Sequence, residues 1–167
     1  MKKSANISIM SILTVCLLIV TAGNVFSQEY RTMKGMKYVK AVFDFERGNP
    51  LGAVRGLQVI HQTFKDKNIW MGQKKPDIVV VFIGPAVKLT SKNRGGVTAD
   101  DRKILDQFAS TISEMSKDGI KFEICLIAVK AFGVEPSSIL PEIKQVGNGW
   151  VSLIRDQARG YSLVPVY

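Results

Sequence analysis

Cys125 is the residue best placed to do chemistry. Phe122-Glu123-Ile124-Cys125 reads as the end of a strand, and Leu126 to Phe132 as a short helix closed by Gly133. The other cysteine, Cys16, lies in an N-terminal segment with the features of an export signal. Once that segment is removed, one thiol is left and no internal disulfide can form. A thiol where a strand gives way to a helix meets oriented backbone amides and the positive end of the helix dipole. Both favour thiolate, the nucleophilic form. Lys130, or Lys92 and Arg94 in a basic loop, would strengthen that field if the fold brings them near. The competing reading makes Glu123 to Val129 one buried strand, with Cys125 as small apolar filler. The residues alone leave both readings open.

Other candidates are weaker. His61, the single histidine, falls on an apolar helical stripe with no cysteine or second histidine spaced to share a metal, so it reads as a core or boundary residue. Asp100 and Asp101 follow Thr98 as first-turn acids of a helix rather than as an acid/base pair. No Walker loop and no Gly-x-Gly-x-x-Gly follows a strand, so no nucleotide cofactor is indicated. Gly147-Asn148-Gly149 precedes a helix and could hold an anion on backbone amides, but a plain tight turn is the better explanation. Trp70 and Trp150 read as packing or interface residues.

These candidates need a scaffold, and the apolar periodicity supplies one. Tyr38 to Phe45 reads as a strand and Leu51 to Phe64 as a helix with Val54, Leu57, Ile60, His61 and Phe64 on one stripe. Asp77 to Ile83 is an unbroken apolar run after its first residue, the pattern of a strand covered on both faces. Lys88 to Val97 reads as a mobile, glycine-rich basic loop. Thr98 caps a long helix carrying Ile104, Leu105, Phe108, Ile112 and Met115, stopped at Asp118 and Gly119. Lys121 to Cys125 is the third strand and Ile143 to Val146 a brief fourth, with a turn between Pro136 and Pro141. A helix from Gly149 to Arg159 and a strand from Tyr161 to Val166 close the chain. Alternating strands and helices predict a three-layer α/β/α domain with a mostly parallel sheet. Ligands in such sheets bind at the carboxyl ends of the strands. The Gly84-Pro85 turn, the Cys125 junction and Gly147-Asn148-Gly149 should all arrive there.

Lys2 and Lys3, then the uncharged apolar run Ile7 to Ala22, then Gly23 to Ser27, predict a signal peptide over residues 1–27 with cleavage after Ser27. The alternative is a retained membrane anchor, and only in that case is a membrane expected as a partner. Cleavage would leave 140 residues: a flexible lead-in over 28–37 and one domain over 38–167, periplasmic or secreted. Lys2 and Lys3 account for two of the nine net positive charges of the full chain, leaving +7. Export argues against nucleic acid as the partner for that charge, and anionic headgroups or small anions are the plainer reading.

The segment Phe122 to Val134 resembles the cysteine segment of the DsrE/DsrF-like family, including the TusD-type sulfur-relay subunits. There too a strand ends in cysteine, and a short alanine-containing helix and a Gly-Val turn follow. Val79 to Pro85, ending Gly-Pro, is similar to the family's second strand. Gly149 to Val166, with Gln157, Gly160, Tyr161 and Pro165, is similar to its closing helix and strand. The resemblance implies a parallel sheet of about five strands and assembly into homo-oligomers, trimers or hexamers. It also implies sulfur transfer in which Cys125 carries sulfane sulfur as a persulfide and hands it to a thiol- or persulfide-bearing protein partner. That chemistry needs no cofactor and no metal. The other reading of the domain is a non-catalytic oligomeric module binding a small anion or a protein partner. The relay members are cytoplasmic, whereas this chain carries an export signal.

Overall fold

The five apolar runs become five strands among the described residues of a computed structural model, which are 35–71 and 74–167. Residues 1–27, read from the sequence as a signal peptide and containing Cys16, and residues 28–34 of the expected lead-in lie outside them. The strands are β1 (Lys40–Phe45), β2 (Asp77–Phe82), β3 (Lys121–Cys125), β4 (Ile143–Val146) and β5 (Ser162–Val166). All pair in parallel in one sheet of order β4-β3-β2-β1-β5. β2 is central, which is why Ile78 to Ile83 are buried on both faces.

The helices are α1 (Pro50–Lys65), α2 (Ala99–Asp118), α3 (Leu126–Ala131) and α4 (Gly149–Ala158). Their starts are written in the sequence. Asn49 accepts a bond from Gly52 N at 2.8 Å ahead of Pro50, Thr98 accepts from Asp101 N at 3.1 Å, and Asn148 accepts from Trp150 N at 3.0 Å. α2 stops at Gly119, whose φ of 105° is open to glycine and strained for a side chain.

Topology sorts the helices onto two faces. From β1 to β4 each crossover steps the same way, while the link from β4 to β5 returns across the whole sheet. Right-handed crossovers therefore put α1 and α2 on one face and α4 on the other. α1 packs on α2, and α4 lies over β1, β2 and β3. Strand alternation divides the core accordingly. Phe45, Phe82 and Phe122 point to the α1/α2 side, where Phe82 lies 5.3, 6.0 and 5.9 Å from the rings of Phe45, Phe122 and Phe108. Asp44, Val81, Glu123 and Cys125 are on the other parity and face α4.

Two segments depart from the sequence reading. Gly84–Thr90 winds as a 3-10 helix, because Ala86, Val87, Leu89 and Thr90 all find burial there. The basic loop after it is pinned rather than loose. Lys92 N donates to Ser138 O at 2.7 Å, the Ser91 and Ser138 hydroxyls lie 2.8 Å apart, and Arg94 turns back onto Ser91 O and Leu105 O.

His61 is a boundary residue, buried on α1 and joined to α2. Its Nε2 lies 2.6 Å from Asp118 Oδ2, with Lys65 Nζ 3.6 Å from the same oxygen. The His61 hydrogen bond, aided by the charge of Lys65, holds the Asp118 carboxyl below its ordinary pKa of 3.8. Such a group stabilises the fold above its unfolded pKa, and the contribution fades as pH falls through the lower folded value. Asp118→Asn should therefore lower stability at pH 7, with the gap to the parent closing as the pH falls below the ordinary carboxyl value of 3.8. Denaturant titrations at several pH values check this; a gap that stays constant or widens in acid would contradict it.

Candidate functional site

The carboxyl end of the sheet gathers the three segments expected there, and one contact among them is unusually close. Cys125 sits at the end of β3, 4% exposed, on the side facing α4. Gly149, the first residue of α4, lies directly against it. A Cβ added at Gly149 would fall 2.9 Å from Cys125 Cβ and 2.9 Å from Ile83 Cγ1, inside van der Waals contact. Only glycine lets the helix come this near. The same end is tight elsewhere: a Cβ on Gly48 would meet Pro85 Cβ at 2.7 Å.

Cys125 is the N-cap of α3 but makes no side-chain cap bond, and α3 is six residues long. The helix whose start confronts its side chain is α4, ten residues long. The helix start packed against the thiol is thus that of the next helix as well as that of α3. Sequence reasoning could not see this, because it depends on the return crossover that carries α4 to the other face. The loop from β3 leads to one face and the loop from β4 to the other, so the thiol lies in the crevice between them, at the topological switch point.

Neither Arg94, bound into its own loop, nor the described contacts of Lys92 involve the thiol. Lys130 lines a separate groove of about 520 Å³ with Leu126, Val129, Gly133, Val134, Glu135 and Pro136 along α3. Cation chemistry enters instead through Arg155 on α4. It donates to Asp156 at 2.8 Å and to Glu123 Oε2 at 3.1 Å, two residues before Cys125 on the same face of β3. Lys144 Nζ lies 3.8 Å from the other Glu123 oxygen. The Asp156 hydrogen bonds, then that of Glu123, push the guanidinium pKa above its already high ordinary value. These bonds clamp α4 to β3 below the Gly149 contact, and a charged residue in each element was their one trace in the sequence.

Asp44 faces α4 from β1, 8% exposed, with Oδ1 unbonded among the described residues. Burial, then the charge of Glu46, raises its pKa. The register places it beside Val81 and so one strand removed from Glu123, away from the thiol. His61, Glu114 and Asp118 bring possible ligand atoms within 4.8 Å of one another. The ammonium of Lys65, 3.2 Å from Glu114 and 3.6 Å from Asp118, already holds the cationic place between them. Asp100 and Asp101 serve the start of α2, with Asp101 accepting from the Thr98 hydroxyl at 2.9 Å. Trp70 closes the end of α1 by donating to Phe64 O at 2.7 Å. Trp150 is 66% exposed beside Gly149, and Val151 and Ile154 extend that apolar face.

A parallel α/β/α domain with a thiol at its switch point defines a class. The model of the DsrE/DsrF-like family matches residues 17–166, and the chain belongs to that family. Among solved structures, it is similar to a protein of unknown function from Methanobacterium thermoautotrophicum at 16% identity and TM-score 0.59, covering 76% of this chain and 98% of that one. A protein of unknown function from Bacteroides thetaiotaomicron matches at 20% identity and TM-score 0.49, covering 76% and 94%. The ychN protein from E. coli matches at 11% and 0.44, covering 78% and 99%. The first of these supports the fold alone. No curated protein matches the chain.

The Gly149 contact yields a direct test. Gly149→Ala must push α4 off Cys125 and Ile83, at a cost of about 1–3 kcal/mol for overpacking. It should also speed alkylation of the native thiol several-fold, read by iodoacetamide kinetics below the unfolding transition. Unchanged stability and unchanged labelling would mean that α4 does not cover the thiol.

Proposed function

We propose that this protein is an exported persulfide carrier of the DsrE/DsrF-like family, working through Cys125. Membership of the family gives the coarse association with sulfur relay. The observation that carries the finer reading is the placement of the thiol at the switch point, against the first turn of a ten-residue helix. The chemistry balances without a cofactor. The Cys125 thiolate attacks the outer sulfur of a donor persulfide, R–S–SH; a sulfur–sulfur bond forms, the donor bond breaks and R–S⁻ leaves. A partner thiolate then attacks the outer sulfur of Cys125–S–SH, takes it with its proton, and releases the Cys125 thiolate. At 4% exposure the thiol meets a protein partner when the first turn of α4 lifts.

In this reading the domain acts as a homo-oligomer, periplasmic or secreted after signal cleavage. Support for self-assembly comes from exposed apolar surface on α4 (Trp150, Val151, Ile154) and on the edge strand β5 (Leu163, Val164). The same apolar surface and the depth of the thiol favour a second reading, a non-catalytic binding module. One experiment separates the two. Native protein treated with polysulfide should gain about 32 Da, one sulfur atom, at Cys125; dithiothreitol should remove it, and Cys125→Ser should never acquire it. If the thiol reacts only after unfolding, the carrier reading fails and the binding module stands.

A further inference from the structure

We propose that the end of the sheet opposite Cys125 is a surface that lies against anionic lipid headgroups. α1, α2 and α4 run antiparallel to the strands, so their last turns and the first residues of β1, β2, β3 and β5 meet at one end. Asp77 marks the centre of that end: it receives Lys121 Nζ at 2.8 Å and the Tyr161 hydroxyl at 2.7 Å and pairs in register with Lys40. Lys40 Nζ in turn reaches Arg159 O at 3.3 Å. Around this centre stand Lys37, Lys67, Lys74, Lys75, Lys117 and Arg159, all exposed. None of the six forms a salt bridge among the described residues.

Most carboxylates at this end have a cationic partner: Asp77 pairs with Lys121, and Asp118 and Glu114 with Lys65. Asp66, which accepts from Asn68 N at 2.9 Å, and Glu142 at the start of β4 form no salt bridge among the described residues. Six unpaired cations therefore stand against two unpaired carboxylates, and the net charge there is positive. At the opposite end Lys92, Arg102 and Lys103 are interspersed with Asp100, Asp101 and Asp106. Lys88 and Lys130 are exposed at that end too, with Glu135 near them, so the excess of cations over carboxylates is larger at the Asp77 end, where a surface of anionic headgroups attracts it.

Two observations select a bilayer over another polyanion. Met36 and Tyr38, 45% and 40% exposed, flank Lys37 and offer apolar and amphipathic groups to the headgroup boundary. The described chain also begins at this end. Twelve residues separate Gly35 from Ala22, the last residue of the uncharged apolar run, a reach of at most about 47 Å when fully extended. While that run is in a membrane, during export or afterwards, the basic face is the part of the domain closest along the chain to the bilayer. The inference does not rest on the thiol: Cys125→Ser should bind vesicles as the parent does.

Vesicle flotation of the protein, in the form the cell processes it, tests this. Vesicles of phosphatidylcholine alone are compared with vesicles containing phosphatidylglycerol, each at low salt and at 1 M salt, where the screening length falls to about 3 Å. Binding should require phosphatidylglycerol and be lost at high salt. The triple variant Lys37→Glu/Lys67→Glu/Lys74→Glu should weaken it by about a hundredfold, at roughly fivefold per charge removed and more for reversal. Lys92→Glu/Arg102→Glu/Lys103→Glu, with the same change in net charge at the other end, should weaken it far less. Equal losses in the two triples, binding indifferent to phosphatidylglycerol, or tight binding to single-stranded DNA without binding to vesicles would overturn the proposal.

Discussion

The close approach of α4 to β2 and β3 is the constraint on which the rest of the structure depends. With no side chain at Gly149, the first turn of α4 settles onto Cys125 and Ile83, and the Arg155 bridge to Glu123 holds its middle to β3. This seam closes the second face of the sheet. It covers the apolar residues of β2 that α1 and α2 cannot reach, and it sets the surroundings of the thiol. Removing Arg155 would leave Asp156 buried without its cation and Glu123 with only the more distant, exposed Lys144, and breaking a buried pair costs about 3–5 kcal/mol.

The seam follows from chain order. β1 to β4 are laid down by successive right-handed crossovers, and each places its helix on the same side. The fifth strand has nowhere to go but the other edge, beside β1, and the crossover to it must pass over the bare face. The strand ends that diverge at this point are those of β3 and β4, and the thiol sits between them. The position that allows chemistry and the one that completes the core are therefore the same place. The two readings of Cys125 are less opposed than the residue types suggest, because the thiol is both packed and set at the crevice.

Much of this was legible in the sequence. The unbroken apolar run of β2 announced a central strand, and Thr98 announced a helix start that its hydrogen bond to Asp101 N bears out. β3 and β4 begin and end where the apolar pattern and turn residues indicated. The Gly84–Thr90 3-10 turn was not legible, since a short apolar stretch after Gly-Pro has no distinguishing period. Nor was the pinning of Ser91 to Ser138, a contact between residues far apart in the chain. The deeper miss was which helix confronts Cys125: sequence proximity pointed to α3, and topology supplies α4. The glycine of Gly147-Asn148-Gly149 carried the needed signal, but it read as a turn residue until its neighbours were known.

The central claim is that the thiol works by local lifting of the α4 start while the sheet stays intact. Hydrogen exchange of the α4 amides, measured alongside the labelling rate of native Cys125 across a range of denaturant, tests it most directly. The account predicts that thiol labelling and exchange at Ser152 and Leu153 report the same opening free energy, with little denaturant dependence, while the amides of β2 and β3 exchange only through global unfolding. Labelling of Cys125 that follows the global transition, with the denaturant dependence of the β2 amides, would contradict it.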